Sequence, residues 1–179
     1  MRLDHIAYRV ANRHQTAEFF MSAFGYKLQT EFEIKFDDGA TAECLALEPP
    51  EKIVGEAAWS IVAPQLGGEV RYHLAPEIFI SDGDRNSIVG QWVAARGGVG
   101  GIHHLAYQVE SVSQTMNDWK SQGFAEFSTD DVLTCPDLVQ VFTKPSQLTG
   151  VIYELIERGK HGFCADNVKN LMTSTKGFS

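Results

Sequence analysis

The stretch Ile102-His103-His104-Leu105-Ala106-Tyr107-Gln108-Val109 decides the fold, because Asp4-His5-Ile6-Ala7-Tyr8-Arg9-Val10 near the N-terminus is close to a second copy of it. His5 and His104 stand 99 residues apart, each three residues before a Tyr. Both runs are β-like, and each leads into a helix-like segment closed by a Gly-aromatic pair, Gly25-Tyr26 and Gly123-Phe124. A period of about one hundred residues is too long for a solenoid and suits a duplicated supersecondary module. The sequence therefore predicts two equivalent halves that meet around the two histidines.

Working outward, strand alternation puts Leu3, His5, Ala7 and Arg9 on one face and Asp4, Ile6, Tyr8 and Val10 on the other. Asn12 is a candidate N-cap for a helix in which Ala17, Phe19, Phe20, Ala23 and Phe24 recur at helical spacing, with Gly25 as its stop. Two strands, Lys27 to Phe36 and Thr41 to Leu47, flank the hairpin turn Asp37-Asp38-Gly39. From Pro49 to Pro76 the chain loses its pattern around an apolar island, Ala57 to Val62, and reads as a lid or an interface segment. Glu77 to Ile80 is the fourth strand of the first half, Asn86 to Ala95 a connecting helix, and Gly97 to Gly101 a flexible link.

The second half repeats this plan with strand Ile102 to Val109, a helix from Ser111 to Gln122 stopped by Gly123, and strands at Ala125 to Ser128, Leu138 to Thr143 and Val151 to Ile156. A short helix, Asp166 to Met172, lies in the tail. The reading is one α+β domain over residues 1–179, with module one at about 1–84, the connecting helix at 86–96, module two at about 101–158 and a lid-like tail at 159–179. Two βαβββ modules, each too small to close a core alone, would pair into one concave mixed sheet with helices outside.

Composition narrows the function. The apolar fraction of 44% and charged fraction of 21% are ordinary for a globular chain. A net charge of -8 without a basic run argues against a nucleic-acid or anionic-membrane surface. No apolar stretch approaches the ~20 residues that cross a bilayer, and the opening Met1-Arg2-Leu3-Asp4 does not read as a signal peptide, so a cytoplasmic protein is expected. Cys44, Cys135 and Cys164 are odd in number and widely spaced, which predicts thiols rather than a disulfide framework or a zinc motif.

Two histidines from equivalent strands and a carboxylate on a late strand would make a two-His-one-carboxylate metal site. The carboxylate candidate is Glu154 in the apolar run Val151 to Ile156, where a lone buried Glu is costly unless paired or ligating. Glu77 reads as its counterpart in the first half and as a candidate fourth ligand or base, while His103 alternates to the opposite face and reads as structural. Such N/O donors suit Fe(II), Mn, Co, Ni or Zn.

These residues resemble the vicinal oxygen chelate superfamily, built from paired βαβββ modules, and within it the C-terminal half of 4-hydroxyphenylpyruvate dioxygenases. Leu3-Asp4-His5 and Ile102 to Ala106 are similar to that family's ligand strands. Leu138 to Pro145, Glu154 to Arg158, and Gly162-Phe163 through Lys169 look like its characteristic segment, its ligand-Glu strand and its C-terminal lid. The resemblance implies His5, His104 and Glu154 as ligands of a divalent metal, Fe(II) favoured. It further implies a substrate-binding set of Gln140, Phe142, Phe163 and Asn167, with Gln140 as the orienting amide and the two Phe as aromatic walls.

The compact length and the His103-His104 pair look more like methylmalonyl-CoA epimerases, whose four-ligand site would map to His5, Glu77, His104 and Glu154. The expected activity is dioxygenase chemistry on a small 2-oxo acid or related vicinal-oxygen substrate, with isomerase or lyase chemistry as the alternative and a metal-free binding module as a third. A small-molecule substrate and a homodimer are the expected partners.

Overall fold

In this computed structural model, which describes residues 1–50, 61–62, 70–71, 75–136, 138–159 and 163–178, the first half runs β1 (Arg2–Val10), α1 (Arg13–Phe24), β2 (Lys27–Lys35), β3 (Thr41–Glu48), β4 (Ile61–Val62), β5 (Val70–Arg71) and β6 (Glu77–Gly83). A linking helix α2 (Ile88–Ala95) leads to β7 (Gly100–Gln108), α3 (Val112–Gln122), β8 (Leu133–Cys135), β9 (Leu138–Phe142), β10 (Ile152–Arg158) and α4 (Ala165–Ser174). Local chemistry fixes the helix ends. Asn12 and Ser111 each accept the backbone N–H three residues on, and Gly25 and Gly123 end their helices at φ 75° and 69°.

The 8-stranded mixed sheet has the order β2-β3-β6-β1-β7-β10-β9-β8, which reads the same from both edges under exchange of the two halves. Within each half the first and last strands are parallel, β1 with β6 and β7 with β10, and the halves join through the antiparallel β1–β7 pair. The expected α+β architecture of paired modules is therefore the observed one. The loop predicted as a lid lies largely outside the described residues; within it β4 and β5 form an antiparallel pair apart from the main sheet.

The seam between the halves carries two β-bulges. Leu3 and His5 pair with Tyr107 and Ala106, so Asp4 is the extra residue on β1; Ala7 and Tyr8 pair with His104 and Ile102, so His103 is the extra residue on β7. A bulge breaks strict alternation and brings adjacent side chains toward one side. His103 is accordingly buried with His104 on the inner face, and its expected outward placement is wrong for this reason.

Helices α1 and α3 cover the outer face, where Leu45, Leu47, Ile78 and Ile80 meet α1 and Val141 and Leu155 meet α3. Each such aliphatic side chain contributes about 1.5–3 kcal/mol by leaving water. Helices α2 and α4 lie instead on the inner face, packing Val89, Trp92, Val168 and Met172 onto Ala42, Cys44, Ala46 and Phe79. The expectation of helices outside thus holds for α1 and α3 only.

Other expectations also shift. Phe19 and Phe24 are 57% and 55% exposed, since Ala17, Phe20 and Met21 already cover the contact stripe of α1. The strand expected at Ala125 to Ser128 is reduced to one bridge, Phe127 to Thr143, and its place at the sheet edge is taken by β8. Cys135 and Cys164 form a disulfide that ties β8 to the start of α4, leaving Cys44 as the free buried thiol. No helix among the described residues is long and apolar enough to cross a membrane.

Gly100 is part of β7 rather than of a flexible link. A Cβ there would run into the Arg9 carbonyl oxygen across the seam, and its φ of +89° suits only glycine. Gly97, at φ +71°, has nothing within 4 Å of a built Cβ. Gly100→Ala is expected to cost roughly 2–4 kcal/mol in urea unfolding and Gly97→Ala about 1 kcal/mol, the difference measuring the close approach of the two strands.

Candidate metal centre and its pocket

The inner face of the seam collects the polar residues that the core cannot otherwise accommodate. β1 presents His5, Ala7 and Arg9, β7 presents His104 opposite Ala7, and β10 presents Glu154 opposite Ala106. The donor atoms of His5, His104 and Glu154 lie within 4.8 Å of one another, and all three residues are buried. His5 Nε2 is 3.3 Å from His104 Nε2 and 3.3 Å from Glu154 Oε2, while His104 Nε2 is 3.0 Å from the same oxygen. Two imidazole nitrogens and a carboxylate oxygen converging in a buried site are donors suited to a divalent first-row metal.

Each histidine is aimed by its bulge neighbour. His5 Nδ1 donates to Asp4 Oδ1 at 2.8 Å, and the Nδ1 atoms of His104 and His103 share a hydrogen bond at 2.8 Å. Engaging Nδ1 leaves Nε2 to point into the triad, as ligating histidines require. The carboxylate is aimed likewise: Gln140 Nε2 donates to Glu154 Oε1 at 2.6 Å, and Asn167 Nδ2 donates to Gln140 Oε1 at 3.2 Å.

The charges are set by burial against neighbours. Burial alone would lower His5, but Glu154 and Asp4 outweigh it and raise its pKa to about 9. Burial prevails at His104, which falls to about 4 although Glu154 opposes it. Burial would raise Glu154, yet the two histidines hold it well below the usual carboxylate range. In the chain by itself, His5 and Glu154 thus form an ion pair beside a neutral His104.

Of the residues expected from the sequence, His5, His104, Glu154, Gln140, Phe142 and Phe163 line one narrow cleft, with a cavity volume of about 30 Å³. The Phe142 ring is 4.5 Å from that of His104, and the Phe163 ring is 5.1 Å from that of His5. Asn167 on α4 is buried behind Gln140 rather than lining the cleft.

Glu77 does not join the triad. It accepts from Arg158 at 2.8 Å, and Arg158 also donates to Asp4 at 2.7 Å. Its expected equivalence to Glu154 fails by two residues: Glu77 is opposite His5 as Ile152 is opposite His104, whereas Glu154 corresponds to Phe79, opposite Ala7. Sequence reasoning also missed Asp4, Arg158, Arg9 and Ser81. Only Arg9 had left a signal, since it alternates in phase with His5.

The family model of the Glyoxalase/Bleomycin resistance protein/Dioxygenase superfamily matches residues 4–134. A triple mutant of 4-hydroxymandelate synthase from Streptomyces coelicolor superposes with a TM-score of 0.74 at 20% identity, over 98% of this chain and 53% of that one, so the chain spans about half the synthase. Methylmalonyl-CoA epimerase from Mycobacterium tuberculosis matches with a TM-score of 0.62 at 20% identity over 89% of each chain. A single-site variant of the epimerase of Streptomyces coelicolor, in complex with 2-nitronate-propionyl-CoA, matches with a TM-score of 0.60 at 19% identity over 89% of this chain and 99% of that one. No curated protein matches in sequence. The duplicated modules, the seam between them and the family match together place this chain in the Glyoxalase/Bleomycin resistance protein/Dioxygenase superfamily.

Proposed function

We propose that the chain is a metal-dependent enzyme in which His5, His104 and Glu154 hold a divalent metal, Fe(II) favoured, for dioxygenase-like chemistry on a small 2-oxo acid. The observation that carries this reading is the donor count. Two Nε2 atoms and one carboxylate oxygen converge, while the register position of a fourth donor is occupied by Phe79 and Glu77 is engaged by Arg158. An ion held by three side chains would supply Lewis acidity toward a substrate's two vicinal oxygens and a redox centre for O₂.

The protein's own residues would do the rest. Asp4 and His103 hold the imidazoles in the ligating orientation through their Nδ1 atoms. Gln140, anchored by Asn167, fixes one Glu154 oxygen and leaves the other facing the histidines. Phe142 and Phe163 wall the cleft and exclude water from it. A homodimer belongs to the same reading.

A second reading, proton transfer as in an isomerase, draws support from the epimerases, which this chain matches over nearly their whole length. Glu77 at its Arg158 partner and Glu154 are then the carboxylates to consider as base.

The direct test is anaerobic Fe(II) or Co(II) loading of wild type, His104→Ala and Glu77→Ala, followed by absorption scans with 2-oxo acids. His104→Ala is expected to lose stoichiometric metal while keeping its circular dichroism, and Glu77→Ala to keep its metal. Stoichiometric metal in His104→Ala would sink the site, and metal loss in Glu77→Ala would turn the reading toward four ligands and isomerase chemistry. A visible band with 2-oxo acids in the Fe(II) protein is the expected sign of chelation.

The metal-free protein should also show a stability maximum near pH 6.5. His5, raised to about 9, contributes stability below the unfolded value of 6.5 that is lost as the pH climbs through 9. His104, lowered to about 4, contributes stability above 6.5 that is lost as the pH falls through 4. Scanning calorimetry should find the melting temperature falling on both sides, and a flat profile would refute the charge assignment.

A further inference from the structure

The cleft that contains the triad continues along β1 to a residue the proposed chemistry does not use. Arg9 is 2% exposed, and its guanidinium NH1 has no hydrogen-bond partner. NH2 donates to Thr175 Oγ1 at 3.2 Å, and the guanidinium carbon lies 5.9 Å from the Trp92 ring centroid. No carboxylate among the described residues is paired with it. The ionisable groups around it are Arg96, which repels it, Cys44, whose thiol burial pushes up to about 12 and so keeps neutral, and His103 and His104, whose protonation its charge disfavours. Burial lowers Arg9 to about 9, which leaves it a cation at neutral pH.

A desolvated charge without a partner costs several kcal/mol and is seldom kept in a core without a use. Its surroundings add one more donor. Ser81, opposite Arg9 on the adjacent strand, lines the same cleft but already donates its hydroxyl to the Tyr8 carbonyl oxygen at 3.3 Å. His103, beside His104, also lines it, and its Nε2 is the other buried side-chain N or O atom without a partner among the described residues. If His104 ligates through Nε2, its Nδ1 carries a proton and donates to His103, which then bears its own proton on Nε2. Two side chains that line the cleft therefore each carry an unpartnered donor.

We infer that Arg9, assisted by His103, receives a second anionic group of the substrate, so that the site takes a 2-oxo acid with a carboxylate at its far end. This rests on the metal-centred reading above. The spacing suits a dianion: His5 and Arg9 are four residues apart on one strand, roughly 13 Å between α-carbons at ~3.3 Å per residue. Between them Phe79, Phe142 and Met172 line the cleft and would cover an aliphatic spacer.

The test compares 2-oxoglutarate and 2-oxoadipate with the chain-matched mono-acids 2-oxopentanoate and 2-oxohexanoate, by calorimetry on Co(II)-loaded wild type, Arg9→Met and Arg9→Lys. Wild type is expected to prefer one of the diacids by roughly ten- to hundred-fold, the worth of a charge-assisted pair, and Arg9→Met to lose that preference with its metal content unchanged. No preference in wild type, or a preference that survives in Arg9→Met, would overturn the inference. If Arg9→Met does not fold, Arg9→Lys decides, because a point charge without the planar fork should retain only part of the preference.

Thermal melting without ligand gives an independent readout. Arg9→Met should melt at or above wild type, since an uncompensated charge is removed; a lower melting point gives Arg9 a structural role and overturns the inference unless Arg9→Lys keeps part of the diacid preference. Adipate binding to metal-free wild type but not to Arg9→Met, with no 2-oxo acid perturbing the Co(II) spectrum, would uphold the anion site while refuting the chelation reading.

Discussion

The structure depends on one constraint, the antiparallel pairing of β1 with β7 interrupted by a single extra residue on each strand. Without the bulges, alternation would send Asp4 and His103 to the outer face, away from His5 and His104. With them, each histidine gains a neighbour on its own side that engages Nδ1. The same device occurs once in each half, so the duplication preserved a way of aiming an imidazole as well as a fold. Gly100 belongs to this constraint too, because the seam closes there only where no side chain intervenes.

Electrostatic balance along the inner face follows from what the seam places there. At one end Arg158 satisfies both Asp4 and Glu77, and its guanidinium lies 4.5 Å from the Phe163 ring centroid. In the middle the triad balances its own charge, since the shifts of His5 and Glu154 oppose each other. At the other end Arg9 is left with one hydroxyl acceptor. A core chosen for stability alone would hold neither the triad nor Arg9, for apolar replacements of buried ion pairs are often neutral or better.

Much of this was legible in the sequence, and the failures share causes. The repeat, the helix caps, the Asp37-Asp38-Gly39 hairpin and the convergence of His5, His104 and Glu154 follow from patterns of spacing that local chemistry enforces. His103 was misplaced because alternation assumes an unbroken ladder, and a one-residue bulge leaves no mark in composition. Glu77 was matched to Glu154 because both are acidic residues in apolar strands, while their register depends on pairing across the sheet, which no single strand encodes. The Cys135–Cys164 bridge joins residues brought together only by the return of α4 over β8. Arg9 stood in plain view on the face of His5, but nothing local distinguishes a buried arginine from one whose head reaches solvent.

The register difference between the halves also sets the symmetry of the centre. Exchange of the modules maps His5 onto His104, so a perfectly two-fold arrangement would surround the seam with the same groups on either side. Phe79 standing where Glu154 stands in the other half breaks that symmetry. The second module then furnishes two of the three donors, and the first contributes one donor and an aromatic wall. The centre acquires a polarity that the duplicated backbone lacks: two donors on one module, and one donor beside an aromatic ring on the other. Arg9 and Ser81 both stand on the first module, so the carboxylate of the triad and the buried guanidinium of the same cleft come from opposite modules.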